Sequence, residues 1–335
     1  MFIVLPIGHD RPVYDRPWVT ISLITACVGI FLASEVLSHA AMRELTAAAN
    51  EVDAISANHP DARITFTIEG LPQPLRPIID PLIDTRPDRR PQPGDAELDQ
   101  AMRRLIAAMN RLPELRFGYR PGHPTVLGAI GHMFMHGGYM HLFGNMLFLW
   151  VAGGVLECFW RRWAYVGLYF LSGLAGLAAH HLSQPHSLVP LVGASGAIAG
   201  LIGAFVVSYP QARVRLGYFV WLIVRPLYGS WYIKAWIVIP LWALSELLHA
   251  LLAGPDGVAY WAHVGGFGCG VLAGIVGRLA GWIAVDAGHE PMPLSPAGPP
   301  SIGRAHAAMR ATSDLPPKAS APPPMPDPSD FPEPP

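Results

Sequence analysis

The chain has 335 residues, of which 51% are hydrophobic and only 14% are charged, whereas an ordinary soluble domain is about 25% charged. Its net charge of −1 excludes a strongly basic protein that binds nucleic acid by electrostatics. Residues 121–285 hold only 10 of the 47 charged side chains, which excludes a single soluble globule and predicts apolar spans in a lipid bilayer with polar segments attached.

Six segments are apolar and long enough to cross a bilayer core of about 30 Å as helices. They are residues 18–37, 139–156, 163–182, 189–209, 235–253 and 259–277. The pattern therefore predicts an all-α polytopic membrane protein. Residues 216–228 are apolar and aromatic but are flanked and interrupted by Arg215 and Arg225, so we predict an interfacial segment there.

Arginine and lysine in short loops mark the cytoplasmic side of a membrane. Arg161 and Arg162 lie between the second and third spans, and Arg213 and Lys234 lie between the fourth and fifth. Six spans then place both termini in the cytoplasm. This divides the chain into a cytoplasmic N-terminal segment (1–17), a first transmembrane helix (18–38), an external segment (39–122), a core of five spans (123–285) and a cytoplasmic tail (286–335).

The external segment is polar and Ala-rich. Helical spacing predicts helices over Ala41–Ile55 and Asp95–Leu112, and the Pro-rich stretch Pro72–Pro93 between them is predicted to be irregular. Two interpretations remain open: a small cap domain, or a tolerated loop insertion. Residues 287–335 contain 15 prolines and few large apolar side chains, so the tail is predicted to be disordered.

Strongly polar side chains are costly inside a membrane and usually mark a function. Four stand out in the predicted spans: His141 and Asn145 in the second, Ser195 in the fourth and His263 in the sixth. Counted from the cytoplasmic arginines at about 1.5 Å per residue, the last three lie roughly 22–27 Å above the cytoplasmic edge. Three helices therefore bring polar groups to one level, slightly below the outer surface.

Small residues three or four positions apart let membrane helices approach closely. Such residues flank the serine and follow the histidine of the sixth span: Gly193, Gly196, Gly266 and Gly270. A close approach would bring Ser195 within about 2.6–3.2 Å of His263, where the imidazole can accept the hydroxyl proton. His141 and Asn145 share one helix face, and both can donate hydrogen bonds to an oxyanion. The alternative is that all four are packing groups that bond to neighbouring helices.

Three motifs resemble those of the rhomboid family of intramembrane serine proteases. The segment from His136 to Asn145, HGGYMHLFGN, resembles the family's HxxxxHxxxN signature. GASG at 193–196 resembles its GxSG motif, and AHVGGFGCG at 262–270 resembles its last helix. Order and spacing agree over roughly 120–280 together with the first span, so the resemblance implies a six-transmembrane-helix, rhomboid-like bundle of the bacterial type.

The resemblance also implies roles for individual residues. Ser195 would be the nucleophile and His263 the general base, while His141, Asn145 and the Ser195 amide would bind the oxyanion. His136 and the four glycines named above would support the site. The protein would cleave transmembrane segments of membrane proteins through an acyl-enzyme in a bacterial inner membrane, without a metal or other cofactor. No third acidic residue is implied, and the role of Glu246, a carboxylate well inside the fifth span, is open.

One departure from the family pattern concerns the histidine. Some members carry an aromatic residue four positions after the serine, where it packs on the catalytic histidine, but here that position is Ala199. What orients His263 is therefore open.

Three other functions compete with proteolysis. One is a proteolytically silent rhomboid-like protein that binds membrane helices, although silent members usually lack the serine or the histidine. Another is a zinc enzyme using His132, His136 and His141, but no HExxH glutamate is present and Gly137-Gly138 would weaken the helix. A channel or transporter is the third, and neither carboxylate pairs nor internal repeats support it.

Overall fold

The computed structural model describes residues 2–11, 16–66, 68, 79–83, 89–221, 226–252 and 257–281. All described residues belong to one compact unit, which lies within Met1–His289. The predicted tail, 286–335, lies outside the described residues, as does most of the Pro-rich stretch 72–93.

Helices dominate the described part of the chain. They are α1 (Trp18–Asn58), α2 (Asp95–Met109), α3 (Pro113–Phe117), α4 (Val126–Gly131), α5 (Tyr139–Phe159, with a π turn at Leu149–Gly153), α6 (Arg162–Ser183), α7 (Ser195–Ser208), α8 (Ala235–Leu252) and α9 (Tyr260–Leu279). Four of these, α1, α5, α8 and α9, are long and apolar enough to cross a membrane, and α7 is apolar but shorter. The protein is thus a mostly helical integral membrane protein, with a helix at each predicted span.

The first helix is longer than the sequence pattern predicts. It has 41 residues, about 60 Å at 1.5 Å per residue, which is twice the thickness of a bilayer core. The residues after Leu37 are rich in alanine and contain no glycine or proline before Pro60, so nothing ends the helix at the membrane surface. The predicted span and the predicted helix over 41–55 are therefore one continuous element.

A second hydrophobic core joins the far half of α1 to α2. Its buried side chains include Val52, Ile64, Leu98 and Met102. On the surface, Arg104 contacts Glu51 at 2.8 Å, and Arg111 contacts Glu44. Part of the segment 39–122 therefore has a packed interior of its own, while its position as an external cap stays a prediction.

An antiparallel sheet departs from the all-α prediction. Its strands, in the order β1-β2-β3, are β1 (Phe2–His9), β2 (Arg213–Trp221) and β3 (Pro226–Lys234). Val214 and Leu216 pack against the main core, whereas Arg215 is exposed and donates to Ser230 at 3.0 Å. This two-residue alternation is that of a strand with one covered face. The interfacial position predicted for 216–228 specifies no secondary structure and stays a prediction, and the described residues of this segment lie in β2 and β3.

A carboxylate from α5 caps the start of α1. Glu157 is buried and accepts hydrogen bonds from the amides of Val19 at 2.7 Å and Thr20 at 2.8 Å, and from the Thr20 hydroxyl at 2.9 Å. The first amides of a helix have no intrahelical acceptor, and the helix dipole favours a negative charge there. Glu157 therefore fixes the beginning of the first membrane helix against the rest of the bundle.

Candidate active site

Ser195 is the first residue of α7 rather than a residue inside a longer helix. The predicted span 189–209 begins six residues too early, because the chain before the serine is held in an extended path. Leu191 pairs with Tyr119 through two backbone hydrogen bonds, and the Gly193 amide donates to the His132 carbonyl at 2.8 Å. Gly193 has φ +125°, a conformation that disfavours any other residue. The serine hydroxyl is therefore presented at a helix start.

Glycines place α7 and α9 in backbone contact. A Cβ on Gly266 would lie 1.9 Å from the Gly196 carbonyl oxygen, and a Cβ on Gly270 would lie 1.8 Å from that of Gly200. Neither position can hold a side chain without moving a helix backbone. The glycines that the sequence predicts as site support, Gly196, Gly266 and Gly270, thus lie directly in the contact between the serine helix and the histidine helix.

His263 lies between the serine and a carboxylate. Its Nε2 is 2.9 Å from Ser195 Oγ, and its Nδ1 is 2.6 Å from Glu246 Oε2. The side chains of His263 and Glu246 are each only 15% exposed. The sequence predicts no third acidic residue at the site and leaves the role of Glu246 open, whereas the structure places this carboxylate against His263. Seventeen residues separate Glu246 from His263, on a different helix, so their contact follows from packing that a sequence motif does not encode.

His141 and Gly193 lie side by side at the mouth of the site. A Cβ on Gly193 would lie 2.8 Å from the His141 ring and 3.6 Å from Ser195 Oγ, so the imidazole and the hydroxyl border the same small space. The buried His136 ring packs edge-on against that of His141, with the centroids 5.4 Å apart. Burial, with a smaller effect of nearby His141, lowers the pKa of His136 to about 4, so its ring is neutral at pH 7.

Asn145 is buried in the helical part of α5, one turn beyond His141. Its side-chain nitrogen Nδ2 has no hydrogen-bond partner among the described residues. Buried polar groups in proteins are nearly always hydrogen-bonded, so an unpaired donor requires an explanation. One explanation is that Nδ2 is positioned to donate a hydrogen bond to a group of the substrate.

Residues 123–279 match the family model described as "Rhomboid domain". This part of the chain belongs to the rhomboid family. The match contains every residue of the candidate site, from His136 to Gly270, and begins after the packed segment built on α1 and α2. The family predicted from three short motifs is thus confirmed for residues 123–279, which contain five of the six predicted spans.

Three relatives carry rhomboid names. The chain is 33% identical over 152 residues to "Rhomboid protein 1, mitochondrial" of Saccharomyces cerevisiae, covering 44% of this chain and 41% of that protein. It is 33% identical over 154 residues to "Rhomboid-related protein 2" of Mus musculus, covering 43% and 46%. It is 39% identical over 75 residues to "RHOMBOID-like protein 5" of Arabidopsis thaliana, covering 22% and 24%. The chain thus spans less than half the length of each of these relatives.

The backbone around His132 and His136 bears on the competing hypothesis of a zinc site. Residues 132–138 between α4 and α5 are not helical, so His132 and His136 do not share a helix face. His132 Nδ1 lies 3.2 Å from the Gly128 carbonyl oxygen, and His136 Nδ1 lies 3.2 Å from that of Phe134. The spacing of four residues on which the zinc hypothesis depends therefore has no structural basis here.

Proposed function

We propose that the chain is an intramembrane serine endopeptidase in which Ser195 is the nucleophile and His263 the general base. The observation that carries this proposal is the 2.9 Å contact between Ser195 Oγ and His263 Nε2. A serine hydroxyl is a weak nucleophile unless an adjacent base takes its proton during attack. Membership of the rhomboid family supports the same reaction, hydrolysis of a peptide bond in or near a transmembrane helix of a membrane protein.

The chemistry proceeds in two halves. In the first, Ser195 Oγ bonds to the substrate carbonyl carbon as its proton passes to His263 Nε2, and the carbonyl electrons move onto the oxygen. Collapse of this intermediate breaks the C–N bond, and His263 gives the proton to the departing amine. In the second half, water attacks the ester while His263 accepts its proton. The substrate carboxylate leaves, and the proton returns to Ser195.

We propose three donors for the oxyanion: the side chains of His141 and Asn145, and the amide of Ser195. The unpaired Nδ2 of Asn145 supports its role. The Ser195 amide belongs to the first turn of α7, whose N–H groups have no acceptor within the helix. His141 borders the same space as the serine hydroxyl. Hydrogen-bond donors that are already in place stabilise the negative charge that develops on the oxygen, and this stabilisation usually accounts for a large part of the rate enhancement.

The supporting residues have separate tasks in this proposal. Gly193 leaves room for the His141 ring, which packs against His136 on its other side. Gly196, Gly266 and Gly270 let α7 and α9 approach until serine and histidine touch. No metal or other cofactor takes part in the proposed reaction.

We also propose the setting in which the enzyme acts. Arginines in the short loops favour an orientation with both termini in the cytoplasm and the site near the outer surface of the membrane, for which we propose a bacterial inner membrane. The relatives named above are eukaryotic, and one carries a mitochondrial name. Reporter fusions at residue 2 and at residue 90 test the orientation, because they should lie on opposite sides of the membrane.

The experiment that tests the function is covalent labelling of the purified protein by a fluorophosphonate, measured by intact mass. Ser195→Ala and His263→Ala are labelled in parallel. One adduct on the unmodified chain, absent from both variants, is expected from an activated serine. A folded protein without any adduct would overturn the proposal and favour the alternative, a proteolytically silent rhomboid-like protein that binds membrane helices.

A further inference from the structure

Glu246 is a carboxylate that the proposed dyad does not use. It lies on α8, which exposes many apolar side chains, among them Leu241, Leu244 and Leu248. A charged side chain in such a helix is expensive and normally faces a partner inside the protein. The partner here is His263, whose Nδ1 is 2.6 Å from Glu246 Oε2.

We propose that Glu246 is the positioning residue for His263, so that the site is a Ser–His–Glu triad rather than a dyad. This inference rests on the proposed function. The general base must carry its proton on Nδ1 so that Nε2 is free to accept the proton of the serine hydroxyl. A carboxylate can accept the Nδ1–H bond but cannot donate one, so Glu246 selects the productive tautomer.

The contact also fixes the direction of the imidazole ring. Two hydrogen bonds leave the ring on opposite sides, one to α8 through Glu246 and one to α7 through Ser195. The Tyr260 ring packs edge-on against His263, with the centroids 6.3 Å apart. Ala199 offers only a methyl group and is buried in α7. Glu246 therefore answers what orients the histidine in this chain.

The carboxylate has a second effect during the reaction. When Ser195 attacks, the proton arrives at Nε2 and the ring becomes a cation next to Glu246. A buried cation is costly unless an opposite charge lies close by. In this proposal the Glu246 carboxylate, 2.6 Å from Nδ1, supplies that charge without taking the proton itself.

Glu246→Gln tests the proposal because it preserves side-chain size while removing the charge and adding an amide that can donate to Nδ1. We expect the rate of fluorophosphonate labelling at Ser195 to fall by about 10⁴-fold, the loss that follows when the carboxylate of a serine triad is replaced by its amide. With a cleavable transmembrane substrate, kcat should fall by a similar factor while KM changes little, since Glu246 touches no substrate. Unchanged kcat and labelling rate would overturn the proposal.

Two matched controls separate this effect from general damage. Ser245→Ala alters the neighbouring residue, whose hydroxyl bonds the Trp242 carbonyl in its own helix. Glu35→Gln removes a carboxylate from a different predicted span, where it meets the Tyr139 hydroxyl at 3.5 Å. Both variants should label at the rate of the unmodified chain. A loss in either control equal to that in Glu246→Gln would show a non-specific effect and overturn the assignment.

A spectroscopic measurement tests the contact independently of activity. Nitrogen-15 NMR of histidine-labelled protein, with His263 assigned by comparison with His263→Ala, reports which ring nitrogen carries the proton. We expect Nδ1–H in the unmodified chain and a mixture of tautomers in Glu246→Gln. If the unmodified chain fails to label but this change is seen, the protease proposal fails and the positioning contact stands. If labelling occurs and the tautomer does not respond to Glu246→Gln, only the positioning proposal fails.

Discussion

Replacing Gly266 by alanine should inactivate Ser195 without removing any reacting group. The added Cβ would lie 1.9 Å from the Gly196 carbonyl oxygen. Non-bonded heavy atoms need about 3.5 Å, so the backbones of α7 and α9 must separate by about 1.5 Å at this point. Ser195 and His263 lie on the two helices beside this contact. Their 2.9 Å hydrogen bond would not survive a displacement of that size.

The assay is the rate of fluorophosphonate labelling, which should fall by about 10²–10⁴-fold when the general base is lost. Gly268→Ala is the matched control, because it makes the same change on the same helix and its Cβ would meet no atom within 4 Å. This control should label at the normal rate and, given the helix propensity of alanine, be up to about 1 kcal/mol more stable. Equal labelling of the two variants would refute the argument that glycine packing sets the distance between serine and histidine.

Two further predictions concern the oxyanion donors and the packed segment outside the membrane core. Asn145→Ala should reduce kcat by about 10²–10³-fold with little change in thermal stability, because it removes a donor that has no partner among the described residues; unchanged kcat would contradict this role. Burial alone would raise the pKa of Asp95, but hydrogen bonds from Arg89 and from the amides of Gln92 and Arg63 lower it to about 2. Because the pKa of Asp95 is lower in the folded than in the unfolded state, its ionised carboxylate stabilises the folded state above about pH 4. This stabilisation is lost as the pH falls towards 2, so hydrogen-exchange protection of α2 should weaken by up to about 2.5 kcal/mol over that interval. The Asp95→Asn variant should show no such dependence, and protection that stays constant in the unmodified chain would count against the argument.

The helices and the candidate site residues could be predicted because each leaves a local signal. Twenty apolar residues with few charges predict a span whatever they pack against, and a polar group inside one is conspicuous. His141, Asn145, Ser195 and His263 were found in this way, and three short motifs connected them to one family. The contact between Ser195 and His263 was predicted from glycines at helical spacing.

The elements that the sequence did not predict depend on partners far along the chain. Pairing of the first strand with Arg213–Trp221 joins residues about 200 positions apart, and no local pattern indicates it. The late start of α7 depends on Leu191 pairing with Tyr119. Glu246 was visible as a carboxylate within a span, but its partner could be identified only when two helices were placed side by side.

Distance and orientation of the base are controlled by different residues, and a double variant tests how they combine. Gly266→Ala acts on the spacing of α7 and α9, whereas Glu246→Gln acts on the ring of His263. Independent effects would multiply. In the proposed site both substitutions impair the same step, proton transfer from Ser195 to His263. The losses of rate caused by substituting residues that act as a unit are strongly non-additive. We therefore expect the double variant to label no more slowly than the slower of the two single variants. A loss of rate equal to the product of the two single losses would show that Glu246 contributes by a route other than the histidine.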